Sequence, residues 1–147
     1  MLRIYLDCCS LQRPFDDQTQ PRIKVESEAV LAILAIVENS EVTLLNSDAL
    51  EYEIRRIPDT IRRVESQALL RLAKEFIAMS SAISVQANSF HARGIRPMDA
   101  VHLAAAHVAK ADFFCTTDDK FLKVARGITQ LSCKVVSVLD LLLEVSS

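Results

Sequence analysis

Short apolar runs alternate along this chain with longer stretches in which apolar residues recur every three or four positions. Leu2 to Leu6 reads as a buried first strand and Glu41 to Leu45 as a second. Asp112 to Thr116 and Lys134 to Val138 have the same short, aromatic or β-branched character. Between them lie helical patterns. Pro21 suits the first position of a helix because its fixed φ is already helical, and Val30, Ile33, Leu34 and Val37 follow at helical spacing. Ser47 is placed to cap a short helix carrying Glu51 and Glu53, which Pro58 stops. Asp59 to Met79 predicts one long amphipathic helix with Ile61, Val64, Ala68, Leu72 and Phe76 on one face. Ser81 to Arg93 fits either a short strand followed by a helix or a single helix, and Gly94 breaks it. Pro97 opens a helix in which Met98, Val101, Ala105 and Val108 keep a 3-4-3 spacing. Asp118 to Ala125 reads as a short helix with Thr117 as N-cap, and Asp140 to Val145 as a closing helical turn. The polar stretch from Asp7 to Gln20 reads as an ordered loop. Strands alternating with helices predict a three-layer α/β/α sandwich around a central, mostly parallel sheet. Residues 1–147 are expected to form a single domain, with no linker or repeat visible between them.

Composition narrows the chemistry. Half of the 147 residues are hydrophobic and only two are glycine, which suits one well-packed core and not a disordered chain. Gly94 and Gly127 alone cannot build a glycine-rich phosphate loop or a dinucleotide fingerprint. No nucleophile elbow of the G-x-S-x-G type is present. His91, His102 and His107 show no zinc spacing, and the last two read as flanks of a packed helix. The cysteines lack a C-x-x-C pair; Cys115 and Cys133 read as small buried hydrophobes, while Cys8 and Cys9 directly follow Asp7. The longest apolar run, Ala29 to Val37, is far short of a membrane span, and the chain starts directly with a strand containing Arg3 and Asp7. A soluble, cytoplasmic protein is expected. A net charge of −2 gives no signal for nucleic acid by itself. The arginines do cluster, at Arg55, Arg56, Arg62 and Arg63 and again at Arg93 and Arg96. The first group reads equally well as a solvated helix face balanced by Glu51, Asp59 and Glu65.

The acids carry the sharper hypothesis. Asp7 ends the first strand pattern, Glu53 lies on the short helix after the second, Asp99 opens an alanine-rich helix, and Asp118 follows Phe113-Phe114-Cys115. In an open parallel sheet, reacting groups collect beyond the carboxyl ends of the strands, and neighbouring strand ends lie ~5 Å apart. Gathered carboxylates repel: a pair at ~4 Å costs about 4 kcal/mol at an effective dielectric near 20. Either some of them hold protons or a cation holds them together, and an all-oxygen site favours Mg²⁺ or Mn²⁺. Each acid also has a local explanation. Asp99, Asp118 and Asp119 stand at helix starts, where carboxylates are favoured, and Glu53 is near Arg55 and Arg56. Asp7 needs partners in any case, because a carboxylate at the end of a buried strand is costly alone.

These segments resemble the PIN domain. The likeness rests on Ile4-Tyr5-Leu6-Asp7, on the Glu within Ser47-Asp48-Ala49-Leu50-Glu51-Tyr52-Glu53, on Gly94-Ile95-Arg96-Pro97-Met98-Asp99-Ala100-Val101-His102-Leu103-Ala104, and on Thr116-Thr117-Asp118-Asp119-Lys120-Phe121. It spans Met1 to about Val138, and the stretch around Asp99 with the Thr-Thr-Asp element is its most specific part. The loop Arg13-Pro14-Phe15-Asp16-Asp17-Gln18 is similar to that of prokaryotic stand-alone members, some encoded beside small partner proteins. The resemblance implies a Mg²⁺- or Mn²⁺-dependent endoribonuclease acting on single-stranded RNA, of the toxin–antitoxin kind, with an antitoxin protein as partner and a homodimer as its assembly. It maps the catalytic and metal-binding acids onto Asp7, Glu53, Asp99 and Asp118, with Glu51 and Asp119 as competing positions. Arg13 and Arg96 are candidates for substrate phosphate, which suits the planar guanidinium fork, and Thr117 for orienting the site through its hydroxyl. The competing implication is a PIN-fold module that binds protein or RNA without cutting. Two other acid-bearing α/β classes fit less well: a response-regulator phosphoacceptor wants paired acids at the first strand end, and a haloacid-dehalogenase-type phosphatase wants D-x-D. Cys8 and Cys9 follow Asp7 instead.

Overall fold

The computed structural model describes residues 1–147 and contains one all-parallel sheet of five strands in the order β3-β2-β1-β4-β5. The strands are β1 (Arg3–Leu6), β2 (Thr43–Ser47), β3 (Glu75–Ile77), β4 (Phe113–Cys115) and β5 (Lys134–Val136). The helices are α1 (Cys8–Gln12), α2 (Pro21–Glu38), α3 (Asp48–Arg55), α4 (Thr60–Leu70), α5 (Ser81–Ala92), α6 (Pro97–Val108), α7 (Asp119–Arg126) and α8 (Val138–Ser146). Ile4, Tyr5, Leu6 and Phe114 are wholly buried. This is why Ile4 to Leu6 of β1 and the whole of β4 read as unbroken apolar runs: a parallel sheet covered on both faces has no polar side to alternate with. In register, Ile4 lies beside Leu44 and Phe113, and Phe114 beside Tyr5 and Val135.

The chain leaves β1 toward β2 and β3, then crosses back to β4 on the other side of β1. Right-handed crossovers in opposite directions put helices on opposite faces of a sheet. Helix α2 packs on α8, and α5 on α6. The reversal makes the carboxyl end of β1 the topological switch point, the place where open α/β sheets gather their chemistry. Asp7 is the first residue beyond it.

Several expectations are corrected by the structure. The stretch after Asp7 is not a loop throughout: α1 and a 3-10 turn over Arg13–Phe15 occupy much of it. Asp7 accepts the Ser10 N–H and starts α1 in place. The second strand lies two residues later than Glu41 to Leu45. The long helix predicted from Asp59 to Met79 is two elements, α4 ending at Leu70 and β3 beginning at Glu75. No glycine or proline marks that break. It arises because Glu75, Phe76 and Ile77 pair with Leu45, Asn46 and Ser47 on the edge of β2, so a tertiary partner supplies the backbone bonds. Its predicted apolar face is not core either, for Ile61, Val64 and Phe76 are exposed while Ser66 and Leu70 are buried. The ambiguous Ser81 to Arg93 segment is one helix, ended by Gly94 at φ 99°. Asp118, not Thr117, is the N-cap of α7. The closing turn is the longer α8, capped by Ser137.

Candidate active site

Each acid is placed by its own element. Asp7 is 2 % exposed; its backbone N–H extends the β1–β4 ladder to the Cys115 carbonyl (3.1 Å), while its Oδ1 caps α1 at the Ser10 N–H (3.0 Å). Asp118 caps α7 by accepting the Phe121 N–H at 3.0 Å. Asp99 lies in the first turn of α6, where Pro97 starts the helix and no side chain caps it. Glu53 lies further along α3, whose start is capped by Ser47 accepting the Leu50 N–H at 3.0 Å. Strand β1, helix α3, helix α6 and the β4–α7 turn thus bring Asp7, Glu53, Asp99 and Asp118 to the wall of one cleft.

The competing acids point elsewhere. Glu51 accepts from the Asn46 side-chain amide at 2.7 Å, and Asp119 is exposed and paired with Arg22 at 2.7 and 2.8 Å. Neither lines the cleft. Arg13 does line it, yet its Nε bonds Glu26 (2.9 Å) and its Nη1 bonds Asp16 (3.1 Å), so its guanidinium is largely committed to the protein. Arg96 is 74 % exposed and bridges two of the acids, Asp118 at 2.7 Å and Asp99 at 3.4 Å. Thr117 donates its hydroxyl to Cys9 Sγ at 3.1 Å.

Electrostatics follow from this packing. Burial raises the Asp99 carboxyl above the ordinary aspartate range, and the charge of Asp7 adds to the rise; Arg96 opposes it. Burial and then Asp7 push the Cys9 thiol up to about 12. Cys9 therefore keeps its hydrogen at neutral pH and donates toward the Asp7 oxygens at 3.1 and 3.2 Å. Thr117, Cys9 and Asp7 form a hydrogen-bonded file that holds the Asp7 carboxylate from one side.

Two residues belong to this site that sequence reasoning left out or undervalued. Cys9 is one. His102 is the other: it is 1 % exposed, and its Nε2 lies 2.6 Å from Glu53 Oε1. It is no mere flank of a packed helix. The available signal was its position three residues after Asp99, which puts both on the same side of α6.

Comparison with known proteins identifies the family and the fold. The family model described as PIN domain matches residues 4–127. The chain belongs to the PIN domain family. Its fold is shared by solved structures of low sequence identity. One is a chain of VapBC2 from Rickettsia felis bound to a DNA fragment from their promoter, with TM-score 0.56 and 12 % identity over 92 % of this chain and 99 % of that one. Another is PAE2754 from Pyrobaculum aerophilum, with TM-score 0.56 and 15 % identity over 99 % of this chain and 97 % of that one. No curated protein matches.

PIN membership makes a divalent cation the natural question, and the donor set fits one. All four acids offer hard oxygen donors, and a positive charge nearby would relieve Asp99, which burial and Asp7 both penalise. As the side chains stand, no three His, Cys, Asp or Glu groups converge closely enough to hold an ion. Arg96 supplies the positive charge between Asp99 and Asp118. No helix is long and apolar enough to cross a membrane.

Proposed function

We propose that this PIN protein is a Mg²⁺- or Mn²⁺-dependent endoribonuclease that hydrolyses phosphodiester bonds of single-stranded RNA in the cytoplasm, as the toxin of a toxin–antitoxin pair. The observation that supports this most is the gathering, at the carboxyl end of β1, of four acids far apart in sequence. Asp7, Asp99 and Asp118 would hold the ion, with Glu53 beside them directly or through water. When bound, the ion supplies a more acidic attacking water and stabilises charge on the leaving oxygen.

The chain's own residues do the rest. Asp7 and Asp118 are aimed by the helix starts they cap, so their oxygens are oriented before any ligand arrives. Cys9 and Thr117 restrain Asp7 further. The exposed Arg96 is free to exchange its carboxylate partners for a substrate phosphate, for which its fork geometry is suited. Arg13, held by Glu26 and Asp16, contributes positive field more than a flexible contact. An antitoxin partner and self-association into a homodimer complete the proposal; the VapBC2 likeness is in keeping with the first.

Purified protein should cut single-stranded RNA with Mg²⁺ or Mn²⁺ and stop in EDTA, and Asp99→Asn or Asp118→Asn should lower cleavage by orders of magnitude. Full-rate cleavage in metal-free EDTA buffer would refute the mechanism. One observation favours a second reading, a binding module without cleavage: Arg96 already pairs with Asp99 and Asp118. That reading expects RNA or protein binding that survives Asp7→Asn, with no metal-dependent cutting in the parent.

A further inference from the structure

We infer that His102 is the positioning residue that fixes the Glu53 carboxylate in the site, acting as the last member of a one-way hydrogen-bond relay through Ser47 and Tyr5. The inference rests on the metal-dependent reading above and goes beyond it by assigning a role to three buried groups that reading does not use.

The distances define the relay. The Leu50 N–H lies 3.0 Å from Ser47 Oγ, Ser47 Oγ 2.7 Å from Tyr5 Oη, Tyr5 Oη 2.6 Å from His102 Nδ1, and His102 Nε2 2.6 Å from Glu53 Oε1. Tyr5, Ser47 and His102 are all at most 1 % exposed, so water does not complete their bonding. Only one polarity satisfies every atom. An ionised carboxylate accepts and never donates, so Nε2 carries the hydrogen toward Glu53. Nδ1 of a neutral ring then accepts from the Tyr5 hydroxyl, Tyr5 accepts from Ser47, and Ser47 accepts from Leu50. Reversing the file leaves the buried Ser47 hydroxyl hydrogen without an acceptor.

The relay is mechanically stiff. Tyr5 is on the central strand, stacked on Phe114 at 5.3 Å between ring centroids, and it meets the His102 ring edge-on at 5.8 Å. Burial also keeps the Tyr5 hydroxyl from ionising. Glu53 itself is 39 % exposed, and without His102 its side chain would be free to take several rotamers. With Oε1 held, Oε2 has no protein partner and is the oxygen available to a ligand. Because His102 and Asp99 are one turn apart on α6, the relay also sets where Glu53 stands relative to Asp99.

Partners that orient a liganding group typically change metal affinity or activity 10- to 100-fold when lost. The test is a double-mutant cycle read by Mn²⁺ binding calorimetry, together with ¹⁵N NMR of the imidazole. His102→Ala should weaken Mn²⁺ binding about 10- to 100-fold in the parent and cause no further loss in a Glu53→Gln background. His102→Gln, which keeps an N–H donor, should recover part of the affinity. The NMR spectrum should show a neutral ring with hydrogen on Nε2. Equal losses in both backgrounds would make His102 merely structural and overturn the inference. So would an Nδ1–H or doubly protonated ring, which decides the matter even where His102→Ala does not fold. If Asp7→Asn and Asp99→Asn abolish Mn²⁺ binding while His102→Ala does not weaken it, the relay falls and the nuclease reading stands. If Asp7→Asn and Asp99→Asn leave Mn²⁺ affinity unchanged, both fall.

Discussion

Replacing Asp7 by asparagine and, separately, by alanine divides its charge from its hydrogen bonding. Asp7 is buried, caps α1 through the Ser10 N–H at 3.0 Å, and helps to raise the Asp99 carboxyl. Asparagine ranks with aspartate as an N-cap, so Asp7→Asn keeps the acceptor and removes the like charge. Alanine removes both and leaves the Ser10 N–H without its partner. The difference between the two variants is therefore chiefly the cap, about 1 kcal/mol within a range of roughly 0.5–2, with the thiol bond from Cys9 lost alongside it. At about 2–4 °C per kcal/mol for a chain near this size, Asp7→Ala should melt a few degrees below Asp7→Asn in EDTA at neutral pH. Asp7→Asn should melt at or above wild type, since the repulsion on Asp99 is gone. Adding Mn²⁺ should then raise the wild type, because a ligand that binds only the native state stabilises it by RT ln(1 + [L]/Kd), about 2.7 kcal/mol at a hundredfold excess. Both variants should respond far less. The assay is a thermal melt by circular dichroism with and without Mn²⁺. A wild type that ignores Mn²⁺, combined with an Asp7→Asn variant less stable than wild type in EDTA, would mean that Asp7 is a structural carboxylate and would sink the nuclease reading.

Other expectations follow from the same geometry. The raised Asp99 holds its proton more tightly in the folded chain than in the unfolded one. Its contribution to stability is therefore fully present below the ordinary value of 3.8 and lost as pH rises through the raised value. In EDTA the urea midpoint of wild type should fall through that window and that of Asp99→Asn should fall less; identical profiles would contradict the assignment. Glu53→Gln should weaken Mn²⁺ binding while Glu51→Gln, whose parent is tied to Asn46, should not; the reverse result would move the site by two positions. Asp119→Asn should leave both cleavage and the melting temperature nearly unchanged, since it breaks only an exposed pair with Arg22. Gly94→Ala should destabilise by about 1–2 kcal/mol in denaturant titration, from backbone strain at φ 99° alone, because nothing lies within 4 Å of the added carbon; a neutral result would show that the turn relaxes.

How far the chain could be read depended on whether the deciding interaction was local. Pro21 and Pro97 at helix starts, Ser47 as a cap, and Gly94 as a terminator are choices made by a residue and its immediate neighbours, and each is present as expected. The apolar runs Ile4 to Leu6 and Phe113 to Cys115 announced a sheet covered on both faces. Asp7, Asp99 and Asp118 were legible because each sits at a strand end or helix start that the local pattern already marks.

Sequence alone thus determined the class of fold, the alternation that makes the sheet parallel, and the acids worth suspecting, because side-chain period and caps are short-range. Only tertiary structure decided the rest. It turned the second half of a plausible helix into β3, because the edge of β2 offers backbone partners that no local preference encodes. It separated Glu53 from Glu51 and Asp118 from Asp119, since one of each pair lines the cleft while the other is bonded to Asn46 or Arg22. It also joined Ser47, Tyr5, His102 and Glu53, residues drawn from β1, β2, α3 and α6, into one file. Hydrogen bonds between groups so distant in sequence exist only after the strand order has brought β1, β2 and α6 together, and no spacing along the chain records them.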